Sequence, residues 1–143
     1  MSAATIRSVI VVEDDQIDTE YILRTLSKFD IRPEVHPRSY EAISHLQQNE
    51  APVLVLLDWK IPGGGASVLR AVRESPAICT VPVVVLSRST AHVDVRAAMT
   101  GHANVYVAKA AELQDFQDQL SAICEMFLNI AQPPPISDAD TDR

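Results

Sequence analysis

The chain of 143 residues is long enough for one domain with a real core, and needs no disulfide or metal staple to fold. Hydrophobic residues make up 47% and charged residues 22%, a globular rather than a disordered composition. The net charge of −7 argues against general binding to nucleic acid or to an anionic membrane surface, and leaves room for a protein partner. The segment Met1–Ser8 has one arginine and no long apolar stretch, so no signal peptide is expected. The apolar runs are too short to span a bilayer, which predicts a soluble, cytoplasmic protein. Cys79 and Cys124 have neither zinc spacing nor the pattern of a disulfide framework.

In chain order, the first apolar run is Val9–Val12, a strand. Ile17, Tyr21, Ile22, Leu26 and Phe29 then follow at helical spacing. Pro33–His36 reads as a weak edge strand, with proline flanking it at each end. A second helix carries Tyr40, Ile43 and Leu46, with Ser39 as its N-cap. Val53–Leu57 is the next strand, followed by a helix with Val68, Leu69 and Val72. Val83–Leu86 precedes a helix with Val95, Ala98 and Met99, closed by Gly101 as C-cap. Val105–Ala108 is the last strand. The last helix carries Leu113, Phe116, Leu120, Ile123, Phe127 and Ile130. The strand runs do not alternate, which suits burial on both faces, as in a parallel sheet covered by helices. Strand and helix alternate five times, predicting a doubly wound α/β domain over residues 1–131. From residue 132 the prolines and aspartates predict a disordered tail to residue 143.

In such a sheet, ligands bind beyond the carboxyl ends of the strands. Glu13-Asp14-Asp15 follows the first strand, Asp58-Trp59-Lys60 the third, Ser87-Arg88-Ser89 the fourth and Lys109 the fifth. Two carboxylates about 5 Å apart repel by roughly 3 kcal/mol at an effective dielectric near 20. Glu13, Asp14 and Asp58 therefore ask for a cation, and one lysine is too few. Magnesium suits one or two carboxylates plus water and phosphate oxygens. A free carboxylate can then act as nucleophile, with a hydroxyl and an ammonium for the oxygens of a transferring phosphoryl group.

Four blocks, VVEDD at 11–15, LLDWKIPGG at 56–64, PVVVLSRST at 82–90 and NVYVAKA at 104–110, together resemble the receiver domain of two-component response regulators. The resemblance covers roughly residues 6–130. It implies a flavodoxin-like (βα)5 fold with a parallel sheet of order 2-1-3-4-5. It makes Asp58 the phosphoacceptor for a histidine kinase. Asp14 becomes a direct magnesium ligand, Glu13 acts mainly through water, and the Lys60 carbonyl supplies another ligand. Ser87 becomes the switch hydroxyl, Tyr106 the aromatic that follows it, and Lys109 the phosphate-binding lysine. The stretch HANVYVAKAAELQDF at 102–116 is most similar to the stand-alone regulators that serve phytochrome-type histidine kinases. Output would then pass through protein contacts, with no enzymatic turnover of outside substrates.

Some positions depart from the family pattern. Ala110 stands where proline usually follows the lysine, which leaves the peptide geometry and the reach of Lys109 open. Ala66 stands where a glycine is usual. Arg88 follows the switch hydroxyl, and with Lys60 it would gate the site, slowing attack by water on the phosphoryl group. Trp59 reads as a partly exposed neighbour without a chemical role. His36, His45, His92 and His102 show no ligand spacing. Ser87 lacks a triad histidine, and the glycines at 63–65 lack the Lys-Ser/Thr of a phosphate loop. The last helix is apolar on more than one side through Met126, Leu128 and Ile130, which predicts a homodimer through it. Two other readings stay beside the receiver: a non-phosphorylated docking scaffold, and an aspartyl-phosphate hydrolase of small substrates, for which the D-x-D pair is absent.

Overall fold

A computed structural model describes residues 7–134. Five strands and five helices alternate: β1 Ser8–Val12, α1 Gln16–Leu26, β2 Arg32–His36, α2 Ser39–Gln48, β3 Leu54–Asp58, α3 Gly65–Glu74, β4 Val83–Ser87, α4 His92–Thr100, β5 Val105–Ala108 and α5 Leu113–Cys124. All strand pairs are parallel, in the order β2-β1-β3-β4-β5. The predicted fold class and sheet order are those observed.

The unbroken valine runs follow from this arrangement. Ile10, Val12, Val55, Leu57, Val83 and Val85 point to one face, under Ala42, Leu46, Val68, Leu69, Val72 and Ala98 of α2, α3 and α4. Val9, Val11, Leu54, Leu56, Val84 and Leu86 point to the other, under Ile22 and Leu26 of α1 and Phe116, Leu120 and Ile123 of α5. Successive side chains of a strand thus meet two different cores, and neither face tolerates a polar residue. β2 lies at the edge and begins at Arg32, one residue before the sequence reading. Ser8 and Arg32 start its register with β1.

Several local expectations change. Ser39 is the first residue of α2 and is buried, and the N-cap position belongs to Arg38, whose side chain makes no capping bond. The Ser39 amide instead donates to the Pro62 carbonyl at 3.1 Å, so this end of α2 is fastened to the loop after β3. Gly101 is the C-cap of α4, but with a right-handed φ of −77°. The left-handed residue is His102, at φ 73°. Ile17, Tyr40 and Met99 are exposed rather than core, as are Leu113 and Ile130 at the two ends of the α5 seam. Beyond Cys124 the helix continues as a π-helical turn, Glu125–Ile130, and the Ala131 amide donates to the Met126 carbonyl at 2.7 Å. Arg7 anchors this turn to the start of β1, donating to the Leu128 carbonyl at 3.0 Å. The expected tail lies outside the described residues from 135 onward.

Candidate functional site

The sheet brings the carboxyl ends of β1, β3, β4 and β5 to one edge. The main chain of Glu13 extends the β1–β2 pairing, its amide donating to the His36 carbonyl at 3.1 Å. Its carboxylate turns inward and is 2% exposed for the whole residue. There Oε2 accepts the amides of Asp14 and Asp15, each at 3.2 Å. Asp15 serves the fold and caps α1, its Oδ1 accepting the Asp18 amide at 2.9 Å. This leaves Asp14 exposed at the opening.

Asp58 ends β3 with its side chain 12% exposed, and its Oδ1 accepts the Lys60 amide at 3.2 Å. One carboxylate oxygen each from Glu13, Asp14 and Asp58 lies within 4.8 Å of the others. Lys109 closes the site from β5. Its Nζ donates to Glu13 Oε1 at 2.7 Å, to Asp18 Oδ2 at 2.8 Å and to Asp58 Oδ2 at 3.5 Å. Ser87 is fully buried beside it, and the Lys109 amide donates to the Ser87 carbonyl at 2.8 Å. The Ser87 hydroxyl accepts the Ser89 amide at 3.1 Å. Tyr106 donates from its hydroxyl to the Ser89 carbonyl at 2.7 Å.

The electrostatics follow from burial and crowding. Desolvation pushes the Glu13 carboxyl up to about 7, with Asp58 adding to the rise and Lys109 opposing it. Burial alone would lower Lys109, but its bonds to Asp18 and Glu13 and the charges of Glu13 and Asp58 carry it above the ordinary lysine value. The set of three oxygen donors of a hard, acceptor-only type fits a divalent cation such as magnesium. The Lys109 ammonium compensates one of the charges.

Of the residues named from the sequence, Glu13, Asp14, Asp58 and Lys109 come together, Ser87 and Tyr106 join through Ser89, and Trp59, Lys60 and Arg88 find other surroundings than expected. Trp59 is buried, 7% exposed, and sits in the core beside α3 and α4, near Ala66, Leu69, Ala97 and Gly101. The Lys60 ammonium is engaged by Asp94 of α4 at 3.1 Å, and Asp94 also accepts the Ser89 hydroxyl at 2.5 Å. Those two donors, Ser89 first, hold the Asp94 carboxyl below its ordinary value. Arg88 reaches to Asp18 of α1, its Nη2 lying 2.7 Å from both carboxylate oxygens. Both proposed gating side chains are thus tied to helices that flank the opening.

The two loops that depart from the family pattern are well held. Every described peptide bond is trans, Lys109–Ala110 included. The turn is held by Gln119 of α5, whose Oε1 accepts the Ala110 amide at 2.9 Å and whose Nε2 donates to the Ala108 carbonyl at 2.9 Å. After β3, the close approach is made at Gly65. A Cβ there would lie 2.8 Å from the Trp59 Cα and 3.0 Å from the Asp58 carbonyl oxygen. Only glycine lets the start of α3 seat this close to the strand end.

Sequence reasoning missed Asp18. Its side chain is 1% exposed and bonds both Lys109 and Arg88. The signal was available: Asp18, Ile22, Thr25 and Leu26 form the buried stripe of α1. A carboxylate on that stripe demands a charged partner.

Comparison with known proteins places this geometry. Residues 9–121 match the family model of the response regulator receiver domain. The chain belongs to the receiver domain family. Among curated relatives, this receiver is 30% identical over 134 residues to the probable methanogenesis regulatory protein FilR2 of Methanothrix harundinacea (strain 6Ac), covering 88% of this chain and 86% of that one. It is 29% identical over 135 residues to the response regulator Rcp1 of Synechocystis sp. (strain ATCC 27184 / PCC 6803 / Kazusa), covering 88% and 92%. The fold superposes on the crystal structure of the phosphorylated cyanobacterial phytochrome response regulator RcpA with a TM-score of 0.87 at 28% identity, covering 92% of this chain and all of that one. The Mn(2+)-bound form of Rcp1 gives a TM-score of 0.85 at 28% identity, covering 90% and 99%. Among the described residues no helix is long and apolar enough to cross a membrane.

Proposed function

We propose that this receiver accepts a phosphoryl group from the phosphohistidine of a histidine kinase onto Asp58 and signals through protein contacts. The observation that carries this reading is the junction of Glu13, Asp14 and Asp58 within 4.8 Å, with Lys109 Nζ 3.5 Å from Asp58. In the transfer, an Asp58 carboxylate oxygen attacks phosphorus and forms the O–P bond. The P–N bond to the donor imidazole breaks, and the imidazole leaves with the electron pair and takes up a proton. Lys109 and the Ser87 hydroxyl are the protein's own donors for the phosphoryl oxygens. Glu13, Asp14, Asp58 and the Lys60 carbonyl would hold Mg2+, which supplies charge neutralisation on those oxygens when bound. New charge at Asp58 biases the loop after β4, where Ser87, Ser89 and Tyr106 share hydrogen bonds, and so the face of α4, β5 and α5.

Finer points belong to the same proposal. The likeness to Rcp1 and RcpA supports a phytochrome-type kinase as donor. The exposed Met126 and Ile130 support a homodimer through the last helix, and the protein is read as cytoplasmic. The test is intact mass after incubation with Mg2+ and a small phosphoramidate donor, beside Asp58→Asn. One added phosphoryl group, lost in the variant and without Mg2+, is expected. No addition in the wild type refutes the reading and favours a docking scaffold.

A further inference from the structure

Lys109 is shared among three carboxylates, and Asp58 is the most distant. Nζ stands 2.7 Å from Glu13 and 2.8 Å from Asp18, against 3.5 Å from Asp58. Asp18 lies outside the cluster of Glu13, Asp14 and Asp58 that fits a cation. It carries two cations of its own: Lys109 on Oδ2, and Arg88 straddling both oxygens. The Asp18 side chain is 1% exposed and that of Arg88 58%, so the guanidinium covers the carboxylate from the solvent side. The carboxylate itself is fixed in the first turn of α1, where Asp15 holds the Asp18 amide. Arg88 directly follows Ser87, and Lys109 directly follows β5. One buried carboxylate on α1 thus ties together the two loops that supply the phosphoryl-binding groups.

We propose that Asp18 is a positioning residue that sets the reach of Lys109 toward Asp58, and that Arg88 tunes it by sharing the same carboxylate. The proposal rests on the reading of Asp58 as phosphoacceptor. Charge-assisted hydrogen bonds to a sealed carboxylate hold their donors in one place. With Asp18 gone, Lys109 keeps Glu13 as its nearest partner and loses the second support that holds it beside Asp58. With Arg88 gone, the Asp18 carboxylate loses the donor that fixes both of its oxygens, and Lys109 is left on a looser support. Both changes slow transfer. The effect of Arg88 exists only through Asp18.

The experiment measures phosphoryl incorporation by intact mass, at varied donor concentration with Mg2+. The proteins are wild type, Asp18→Asn, Arg88→Ala, Arg88→Lys and the double variant Asp18→Asn with Arg88→Ala. Mg2+ affinity is followed by the fluorescence of Trp59, the one tryptophan, adjacent to Asp58. Asp18→Asn should lower the saturating rate about tenfold or more while Mg2+ affinity stays within about threefold. Arg88→Ala should lower that rate about three- to fivefold, with Arg88→Lys restoring most of it. In the Asp18→Asn background, Arg88→Ala should add nothing. A rate for Asp18→Asn within about twofold of wild type, or an equal effect of Arg88→Ala in both backgrounds, overturns the proposal. If Asp18→Asn does not fold, Arg88→Ala decides alone, because an unchanged saturating rate with unchanged melting overturns it. A wild type that gains no mass overturns the phosphoacceptor reading together with this one. A phosphorylated wild type beside unaffected variants overturns this one only.

Discussion

Replacing Glu13 with glutamine should change how stability depends on pH. In the fold the Glu13 carboxyl titrates at about 7, against an ordinary 4.5, chiefly because burial disfavours its charge. A raised carboxyl pKa means that the folded state holds the proton more tightly than the unfolded chain. The contribution is therefore fully present below about pH 4.5 and is lost as pH rises through about 7. At 1.36 kcal/mol per pH unit the whole span amounts to about 3 kcal/mol, an upper figure because Glu13 shares its bonds with charged neighbours. Glutamine cannot titrate, so the wild type should lose up to about 3 kcal/mol relative to Glu13→Gln between about pH 5 and pH 8. Urea denaturation in a chelator, followed by circular dichroism at several pH values, reads this directly. Mg2+ should restore the wild type at high pH and do less for the variant. Parallel stability curves for the two proteins would refute the assignment of a buried, proton-holding Glu13.

Other outcomes follow from the packing and the site loops. Leu120→Ala empties a fully buried position between α5 and the sheet and should cost about 2–5 kcal/mol by chemical denaturation. Gly65→Ala forces a Cβ against the Trp59 backbone, so it should destabilise by about 1–3 kcal/mol and shift Trp59 emission. Gln119→Ala strands the Ala108 carbonyl and the Ala110 amide. It should cost about 1–3 kcal/mol and slow phosphorylation by loosening the Lys109 loop. If the last helix forms a dimer, Met126→Glu with Ile130→Glu should yield monomers in sedimentation velocity without lowering the melting temperature, since both side chains are exposed.

The fold was legible where burial leaves one choice of chemistry. Four of the strands are unbroken apolar runs because each residue meets one of two cores, and that pattern has few alternatives. The edge strand β2 is buried on neither side to the same degree, so its start was less marked. The site was legible as charge at strand ends, because strand order alone gathers those ends. Side-chain partners were not legible. Arg88 and Lys60 could be placed beside the site from the chain alone, but not tied to their partners Asp18 and Asp94, which lie 70 residues before and 34 after them respectively. Trp59 looked exposed because it stands beside a charged residue. Its burial depends on helices α3 and α4 closing over the strand end. The start of α2 was misread at Ser39, where tertiary fastening to the Pro62 carbonyl outweighed local capping preference.

The clamp between Gln119 and Ala110 bears on how the lysine loop could be exchanged. The family pattern has proline after the lysine, and proline carries no amide hydrogen. Changing Ala110 to proline would leave the Gln119 oxygen without its donor. Changing Gln119 to an apolar residue would leave the Ala110 amide without its acceptor. Neither single step toward the common pattern is neutral, so positions 110 and 119 form an epistatic pair that must be exchanged together. A chimaera that takes the β5–α5 loop from one regulator and α5 from another would inherit half of the pair, and its lysine would stand on an unsupported turn.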